Sequence, residues 1–466
     1  LLWKNIMKFY SDPIEEHPEV PLADDGRWED LIERRAAFRD RPTASGHNAC
    51  YVVSHGAWRS PEHRAACLAE VLGLVRALDD DVVGYESIPS RSRSARAHSR
   101  YGLGTGTCEA IAARARAAGA TLLVLDVALT PSQTRNLEDA TGLAVQDREG
   151  LILSVFHRNA RTRKARIQVE IAQLQYLRPR IRGLGLDMDQ QAGGIMMGKG
   201  AGETASELLA RRLDDRLAHL RRTFEQLERA DTVHRKGRGD CARVALVGYT
   251  NAGKTSLMNA LTGASLSVRD QPFETLDTTS RALTRSGGAV LLGDTVGFIR
   301  DLPPRLMASF ASTLSEIRDA TLLAMVVDLS DPEWAVHLAI THRVLAELGA
   351  DGVDRLYVLN KVDRVDAVPH DAIRAAVGGH PYALVSAHDP ASVDALRAAL
   401  IEAARAEHRT ERFEVPYADG ALAARIHATC DVVDVAYGAS GQTMTVRAPE
   451  RVLAALRHAR ATKGGR

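Results

Sequence analysis

The chain has 466 residues, 45% of them hydrophobic and 26% charged, and carries a net charge of +1. That balance is the profile of a folded globular protein; it excludes a disordered or collagen-like chain and leaves no whole-chain charge that would point to a partner. At ~100–200 residues per domain, about three domains are expected.

The five cysteines, Cys50, Cys67, Cys108, Cys241 and Cys430, have no close pair. Such spacing suits neither a zinc site nor a disulfide framework, so a reducing compartment, and with it the cytoplasm, is expected. Leu1–Tyr10 is apolar but short and broken by Lys4 and Lys8, without a small-residue cleavage pattern, and does not read as a signal peptide. No apolar run approaches ~18 residues, so no membrane span is expected.

Residues 1–44 are weakly patterned. From 45 to 155 short apolar runs alternate with helical patterns. Ala49–Val53, Val82–Tyr85 and Leu122–Leu125 read as strands, and Ala65–Leu78 and Cys108–Ala118 as helices between them, an α/β unit. Tyr101–Gly106 (YGLGTG) reads as a tight turn before the second helix, with a second nucleotide loop as the competing reading.

Residues 156–240 read as a helical hairpin. Its first helix, Arg161–Leu177, carries Ile167, Ile171, Leu174 and Leu177 along one stripe. In its second, about 204–233, Leu213, Leu217, Leu220, Phe224 and Leu227 follow the seam spacing of a coiled-coil pair. Residues 183–202, rich in Gly and Met, are expected to form a long tip loop, a length that is often functional. His234–Asp240 is a polar linker. Residues 155–240 hold 18 basic against 11 acidic residues, a net of +7. Such a charge run is either a solvated helical face or a surface for nucleic acid.

From 241 to 408 the pattern becomes strand–loop–helix, with strands at Ala242–Val247, Val290–Gly293, Ala324–Asp328, Arg355–Asn360 and Tyr382–Ser386. Residues 409–466 read as strand, helix, strand, helix.

Gly248-Tyr249-Thr250-Asn251-Ala252-Gly253-Lys254-Thr255 fits G-x-x-x-x-G-K-[ST] between an apolar strand and a helix. The glycines let backbone N–H groups turn toward phosphate oxygens, and the helix N-terminus adds its positive end. Lys254 neutralises the β- and γ-phosphates and is the candidate for transition-state stabilisation; the Thr255 hydroxyl suits Mg²⁺. This loop does not choose the base. Asn360-Lys361-Val362-Asp363, at the end of a later strand, does: a carboxylate there accepts from guanine N1–H and the exocyclic amine, and adenine has no such donor pair. Ser386, Ala387 and His388, after the next strand, place backbone N–H groups near the guanine carbonyl. Asp294-Thr295-Val296-Gly297, also at a strand end, suits a water-mediated Mg²⁺ contact through Asp294 and a γ-phosphate contact through the Gly297 N–H. GTP and GDP are the ligands expected.

Thr275 is the leading candidate for the switch threonine, with Thr278 and Thr279 as positional alternatives. Phe298 stands where many GTPases carry a water-positioning Gln. A phenyl ring cannot orient water, so the catalytic residue is unassigned and slow intrinsic hydrolysis is expected. Asn251 either braces the loop or helps to hold K⁺ near the phosphates.

These residues give the chain its resemblance to the HflX family of ribosome-associated GTPases, over most of residues 45–460. GYTNAGKT at Gly248–Thr255, FETLD at Phe273-Glu274-Thr275-Leu276-Asp277, DTVGFIR at Asp294–Arg300, Leu302-Pro303, LTPSQTRNLE at Leu129–Glu138 and the helix Arg161–Tyr176 carry it. The resemblance selects Thr275 as the second Mg²⁺ ligand beside Thr255. It implies a P-loop GTPase domain, a mostly parallel sheet flanked by helices, preceded by an α/β domain with a helical hairpin and followed by a small α+β domain. It also implies a large (50S) ribosomal subunit partner, and splitting or rescue of ribosomes. Where the family usually has G-G-I-G-x-R-G-P-G-E-T, Gly193–Thr204 reads GGIMMGKGAGET, with Lys199 near the usual Arg. Contacts to rRNA are expected from Arg161, Arg163, Lys164 and Lys199, together with Arg158, Arg166, Arg178 and Arg180. A monomer is expected. The alternative is a GTP-switched scaffold whose hairpin seam binds protein partners.

Overall fold

The computed structural model describes residues 47–90, 100–192, 205–236, 242–263, 272–273, 279–283, 290–303, 305–307, 315–405, 408–449, 452–454 and 456–458. The chain divides into two compact units. One holds the residues up to Ala160 with Arg166–Arg221; the other holds Arg161–Ala165 with Arg222 onward.

The first unit is built on β1 (Ala49–Gly56), α1 (Pro61–Arg76), β2 (Asp81–Pro89), α2 (Thr105–Ala117), β3 (Leu122–Leu125), α3 (Pro131–Thr141), β4 (Ala144–Asp147) and α4 (Arg148–Asn159). Its sheet has the order β2-β1-β3-β4, with all pairs parallel. Parallel strands need helical crossovers, and the buried runs of Val and Leu in β1 and β3 are what such a two-faced burial requires. Local chemistry sets the helix starts. Ser60 caps α1 ahead of Pro61, Thr130 and Gln133 form a reciprocal capping box on α3, and Asp147 caps α4. The strand β4 and the helices α3 and α4 go beyond the expected elements; their apolar stripes are short, and their caps carry much of the signal. Tyr101–Gly106 is a turn: Tyr101 and Leu103 are buried, Gly102 has φ +71° against Leu129, and α2 starts at Thr105. That packing is the tight-turn reading, not a second phosphate loop.

The hairpin helices are α5 (Arg163–Ala192) and α6 (Ala205–Lys236). They run antiparallel. Glu170 pairs with Arg216 (2.8 Å), Arg178 with Asp214, and the Lys164 ammonium sits 5.8 Å over the Phe224 ring. Ile167, Ile171, Leu174 and Leu177 are buried, as are Leu213, Leu217 and Leu220. Two expectations need correction. The glycine pattern starts the tip loop at Gly183, yet α5 continues through Pro179, Gly183 and Gly185 to Ala192. Single glycines cost only ~1 kcal/mol in a helix, and this pair does not end it. Likewise His234-Arg235-Lys236 belongs to α6 rather than to a linker. Residues 193–204, the rest of the expected tip with Lys199, lie outside the described residues, as do residues 1–44 and Cys241.

Asp147 anchors α5 to the first sheet. Its fully buried carboxylate accepts from Leu129 N–H (3.1 Å), Gly150 N–H (2.9 Å), the Tyr176 hydroxyl (2.6 Å) and Arg180 Nη2 (2.9 Å). The Arg180 guanidinium lies 3.5 Å over the Tyr176 ring and also donates to the carbonyls of Leu129 and Tyr176.

The second unit carries β5 (Ala242–Gly248), α7 (Lys254–Thr262), β6 (Thr279–Ala282), β7 (Val290–Asp294), α8 (Ser315–Arg318), β8 (Leu322–Asp328), α9 (Trp334–Glu347), β9 (Asp354–Asn360), α10 (His370–Val377), β10 (Tyr382–Leu384) and α11 (Pro390–Ala404). Its sheet has the order β10-β9-β8-β5-β7-β6; only the β6–β7 pair is antiparallel. A core of Leu246, Leu257, Leu292, Val326, Val358 and Leu396 lies against the helices. All four site strands, β5, β7, β8 and β9, point their carboxyl ends the same way, which is where open parallel sheets bind ligands. The edge strand β6 is too short and too polar to read from periodicity.

Beyond it, β11 (His408–Pro416), α12 (Gly420–Thr429), β12 (Asp431–Tyr437) and β13 (Gly441–Pro449) form an antiparallel sheet of order β11-β13-β12. The strand β12 adds to the expected pattern; its outward Asp434 and bulge at Val433 break the alternation.

Replacing Arg180 by Met leaves the Asp147 carboxylate buried without its cation, a change that costs about 3 kcal/mol or more. The expected outcome is an earlier urea midpoint for the first unit, with that of the second unit unmoved; equal midpoints would show that the cluster contributes nothing.

Candidate functional site

The site forms where β5 ends. The loop between β5 and α7 turns through Gly248 (φ +158°), Asn251 (φ +61°) and Gly253 (φ +89°). Two of these glycines are dictated by space. A Cβ on Gly248 would lie 2.1 Å from the Val326 carbonyl oxygen, and one on Gly253 would lie 2.3 Å from Asn360 Nδ2. Phe298 braces the other side: its N–H donates to Gly248 O (3.0 Å), and its carbonyl accepts from Thr250 N–H (2.7 Å). The Phe298 ring is buried. The residue at the expected water-positioning place is thus a structural clasp for the loop.

Lys254 opens α7 with its side chain buried and its ammonium on the loop's own carbonyls, 2.8 Å from Tyr249 O and 3.3 Å from Gly248 O. Burial pulls its pKa down to about 8, against the opposing attraction of Asp294. Thr255 donates from its hydroxyl to Asp294 Oδ2 (2.8 Å). Hydroxyl and carboxylate are hard oxygen donors at the helix N-terminus, which fits Mg²⁺ beside phosphate. Thr295 turns inward, its hydroxyl on Leu246 O, and Val296 is buried. Gly297 lies flat against the loop: a Cβ there would meet Thr250 Cα at 2.8 Å and Lys254 Nζ at 3.0 Å.

The end of β9 reaches the same loop. Asn360 is buried and donates from Nδ2 to Ala252 O (3.0 Å); its Oδ1 has no partner among the described residues. Lys361 (φ +62°) donates to Asn251 O (2.9 Å) and to Asp328 Oδ2 (2.7 Å). Val362 and Asp363 form a short 3₁₀ turn. Asp363 is exposed, and the Ser386 side chain holds its carboxyl below the ordinary carboxylate range. The Ser386 hydroxyl also accepts from His388 N–H (3.3 Å), and Ala387 lies between them. A carboxylate ionised over a wide pH range faces solvent beside these N–H groups, as recognition of a purine with two adjacent donors needs.

The structure therefore brings together Gly248–Thr255, Asp294–Gly297, Asn360–Asp363 and Ser386–His388. Of FETLD only Phe273 is described: it is buried, with φ +58°, and its N–H donates to Thr250 Oγ1 (3.0 Å). Glu274, Thr275, Leu276, Asp277 and Thr278 lie outside the described residues. Thr279 sits in β6 opposite Asp294. Sequence reasoning passes over Asp328, which holds Lys361, and His337, which stacks on Tyr249 at 3.8 Å between ring centroids. An Asp at the end of β8 is the only signal for the first; nothing local marks the second.

The basic residues divide. Arg161 and Arg163 are exposed and Lys164 is half-buried under its contact with Phe224. Arg180 does not belong among the free surface contacts: it is half-buried and turned onto Asp147. Arg178 is engaged with Asp214, Arg158 with Asp79, and Arg166 donates to Ala160 O (3.3 Å). Among the described residues no group of His, Cys, Asp or Glu forms a metal cluster, and no helix is long and apolar enough to cross a membrane.

A phosphate loop, a buried strand-end aspartate and a guanine-type N-K-x-D corner on one mostly parallel sheet define a GTPase, an enzyme class that works with Mg²⁺. Residues 65–157, 159–238 and 243–361 match the families described as GTP-binding GTPase N-terminal, GTP-binding GTPase Middle Region and 50S ribosome-binding GTPase. The chain is 44% identical to GTPase HflX of Gluconacetobacter diazotrophicus over 343 residues, 73% of this chain and 74% of that one. It is 37% identical to GTPase HflX of Escherichia coli over 312 residues, 66% of this chain and 73% of that one. A crystal structure of a GTP-binding protein from Sulfolobus solfataricus in complex with GDP superposes with a TM-score of 0.42 at 21% identity, covering 76% of this chain and 98% of that one. The chain belongs to the HflX family of GTPases.

The depressed pKa of Lys254 has a measurable sign. Near pH 8 the free protein holds this lysine about half-protonated; a bound triphosphate restores the charged form. The lysine's contribution to binding should be an uptake of protons near pH 8 that fades as the pH falls. Calorimetry in two buffers of different ionisation enthalpy reads this directly; buffer-independent enthalpies at pH 8 would contradict it.

Proposed function

We propose that this GTPase acts on the large (50S) ribosomal subunit, splitting or rescuing ribosomes in a GTP-dependent cycle. The reading is carried by the match of residues 243–361 to a family described as 50S ribosome-binding GTPase, in one chain with a basic helical hairpin. In this reading residues 45–155 and the hairpin of 156–240 dock on the ribosome. Residues 241–408 hold the nucleotide, and 409–466 form a small further domain. Phosphates lie on the N–H groups of Gly248–Thr255 and on Lys254. Guanine is read by Asn360, Asp363 and the Ser386–His388 backbone.

Thr255 and Thr275 would hold Mg²⁺, which would supply charge neutralisation for the triphosphate. Asp294 orients the Thr255 hydroxyl through their hydrogen bond. Arg161, Arg163, Lys164 and Lys199 contact rRNA phosphates, which makes binding fall steeply with salt. Phe298 supplies no water-orienting group, so intrinsic hydrolysis is slow and a partner or cation accelerates it. Asn251, whose carbonyl accepts from Lys361, either braces the loop or helps to hold K⁺; equal turnover in KCl and NaCl would remove potassium from this account. The scaffold alternative draws on the coiled-coil seam, in which Leu213, Leu217 and Leu220 are buried and Phe224 and Leu227 half-buried; RNA-independent pull-down of a protein partner would favour it.

Sedimentation of the purified protein with 50S subunits tests the proposal. A nonhydrolysable GTP analogue should drive co-sedimentation, GDP should weaken it, and added salt should abolish it. Failure to pellet with 50S subunits at low salt with the analogue bound would refute ribosomal action.

A further inference from the structure

Thr250 occupies an unusual place in the phosphate loop. Its backbone belongs to the cradle, with its N–H on Phe298 O (2.7 Å). Its hydroxyl holds one of the two flanking segments, and its backbone closes off the space beside the other. The hydroxyl accepts the Phe273 N–H at 3.0 Å. The Cα and Cβ lie so close to Gly297 that a Cβ on that glycine would be 2.8 and 3.2 Å away. Phe273 is itself under constraint. It is a buried aromatic residue at φ +58°, a conformation that costs on the order of 1 kcal/mol for a residue with a Cβ. Such a backbone persists only where its surroundings hold it, and the Thr250 hydroxyl supplies one of the bonds that do so. Phe273 lies two residues before Thr275, the residue assigned above to Mg²⁺.

The neighbouring Tyr249 makes the matching contact on the other side. Its hydroxyl accepts the Arg300 N–H at 3.0 Å, three residues beyond Gly297, while its ring is fixed by the stack on His337. Two consecutive loop side chains thus each grip the backbone of a different segment.

We propose that Thr250 is a positioning residue for GTP hydrolysis: its hydroxyl ties the Phe273 backbone to the phosphate loop, while its Cα and Cβ close off the space beside Gly297, so that both flanking segments are set from one loop residue. It touches no reacting atom in this role; it acts through Phe273 and Gly297. The structural demand is specific. The side chain must carry an acceptor on the Phe273 side, and position 297 must stay glycine because a Cβ there would meet the Thr250 Cα at 2.8 Å. Serine keeps that acceptor. Valine matches the shape but leaves the Phe273 N–H without its acceptor, and alanine leaves both a gap and the N–H unsatisfied.

The inference rests on the nucleotide-site reading above, and the test separates the two. Amide exchange at Phe273 in the nucleotide-free full chain needs no turnover. In Thr250→Val that amide should exchange faster by about tenfold, the worth of one buried neutral hydrogen bond, and in Thr250→Ser it should stay within about twofold of wild type. In single-turnover assays with GTP, Thr250→Val should lower the hydrolysis rate by about three- to tenfold with little change in the GTP concentration that half-saturates it, an effect on the chemical step rather than on binding, and Thr250→Ser should restore it. Tyr249→Phe, which removes only the grip on Arg300, serves as a second variant should Thr250→Val fold poorly. It should accelerate exchange at Arg300 and leave Phe273 protected. Unchanged Phe273 exchange in Thr250→Val, or a serine variant as slow as the valine one, would overturn the proposal. A wild-type chain that turned over no GTP would instead overturn the site reading on which it rests.

Discussion

One hydrogen bond joins the two halves of the nucleotide site. Asn360, at the end of β9, reaches across the top of the sheet and donates to Ala252 O in the phosphate loop at 3.0 Å. The strand that leads to Asp363, the residue proposed to read the base, is thereby fastened to the loop of Gly248–Thr255. Gly253 must be glycine at that point because Asn360 Nδ2 fills the space a Cβ would take. Lys361 doubles the connection through Asn251 O and Asp328. Without these bonds a cradle and a base reader would remain, but their spacing would no longer be that of one nucleoside phosphate, and preorganisation is what such sites depend on.

The loop stores its readiness in unfavourable features. Positive φ at Asn251 and Gly253 keeps the backbone turned for phosphate. A buried lysine whose pKa is lowered by desolvation sits on loop carbonyls in the free protein. An incoming phosphate relieves that desolvation with a charge-assisted bond, so part of the interaction energy goes into moving a lysine that has already been brought to the site. The Phe298 clasp on Gly248 and Thr250 holds the geometry while this happens. It also explains why a phenylalanine stands in that position: the ring fills the interior and the backbone closes the loop.

Much of this is legible in the sequence because the chemistry is contiguous there. Gly248–Thr255, Asp294–Gly297 and Asn360–Asp363 each sit at the end of an apolar run, and strands β1, β3, β5, β8 and β9 follow from Val- and Leu-rich segments that a parallel sheet buries on both faces. What is not legible depends on distant partners. β6 and β12 are edge strands whose side chains give no alternation. The glycines of α5 suggest a break that the helix does not make. Charge counting treats Arg180 as a surface group, whereas its acceptor, Asp147, lies 33 positions away in the chain; Arg178 does stand at the surface, paired there with Asp214. Asp328 and His337 acquire their roles only once β8 and α9 are folded beside the loop.

The central claim is that phosphate and guanine are read by one rigid corner of this sheet. Competition calorimetry on the purified full chain, with GDP and GTP set against ADP and ATP in Mg²⁺ buffer, tests it most directly. Guanosine nucleotides should bind more tightly by about a hundredfold or more, because adenine leaves the Asp363 carboxylate unpaired. Equal affinities for the two bases would contradict the account.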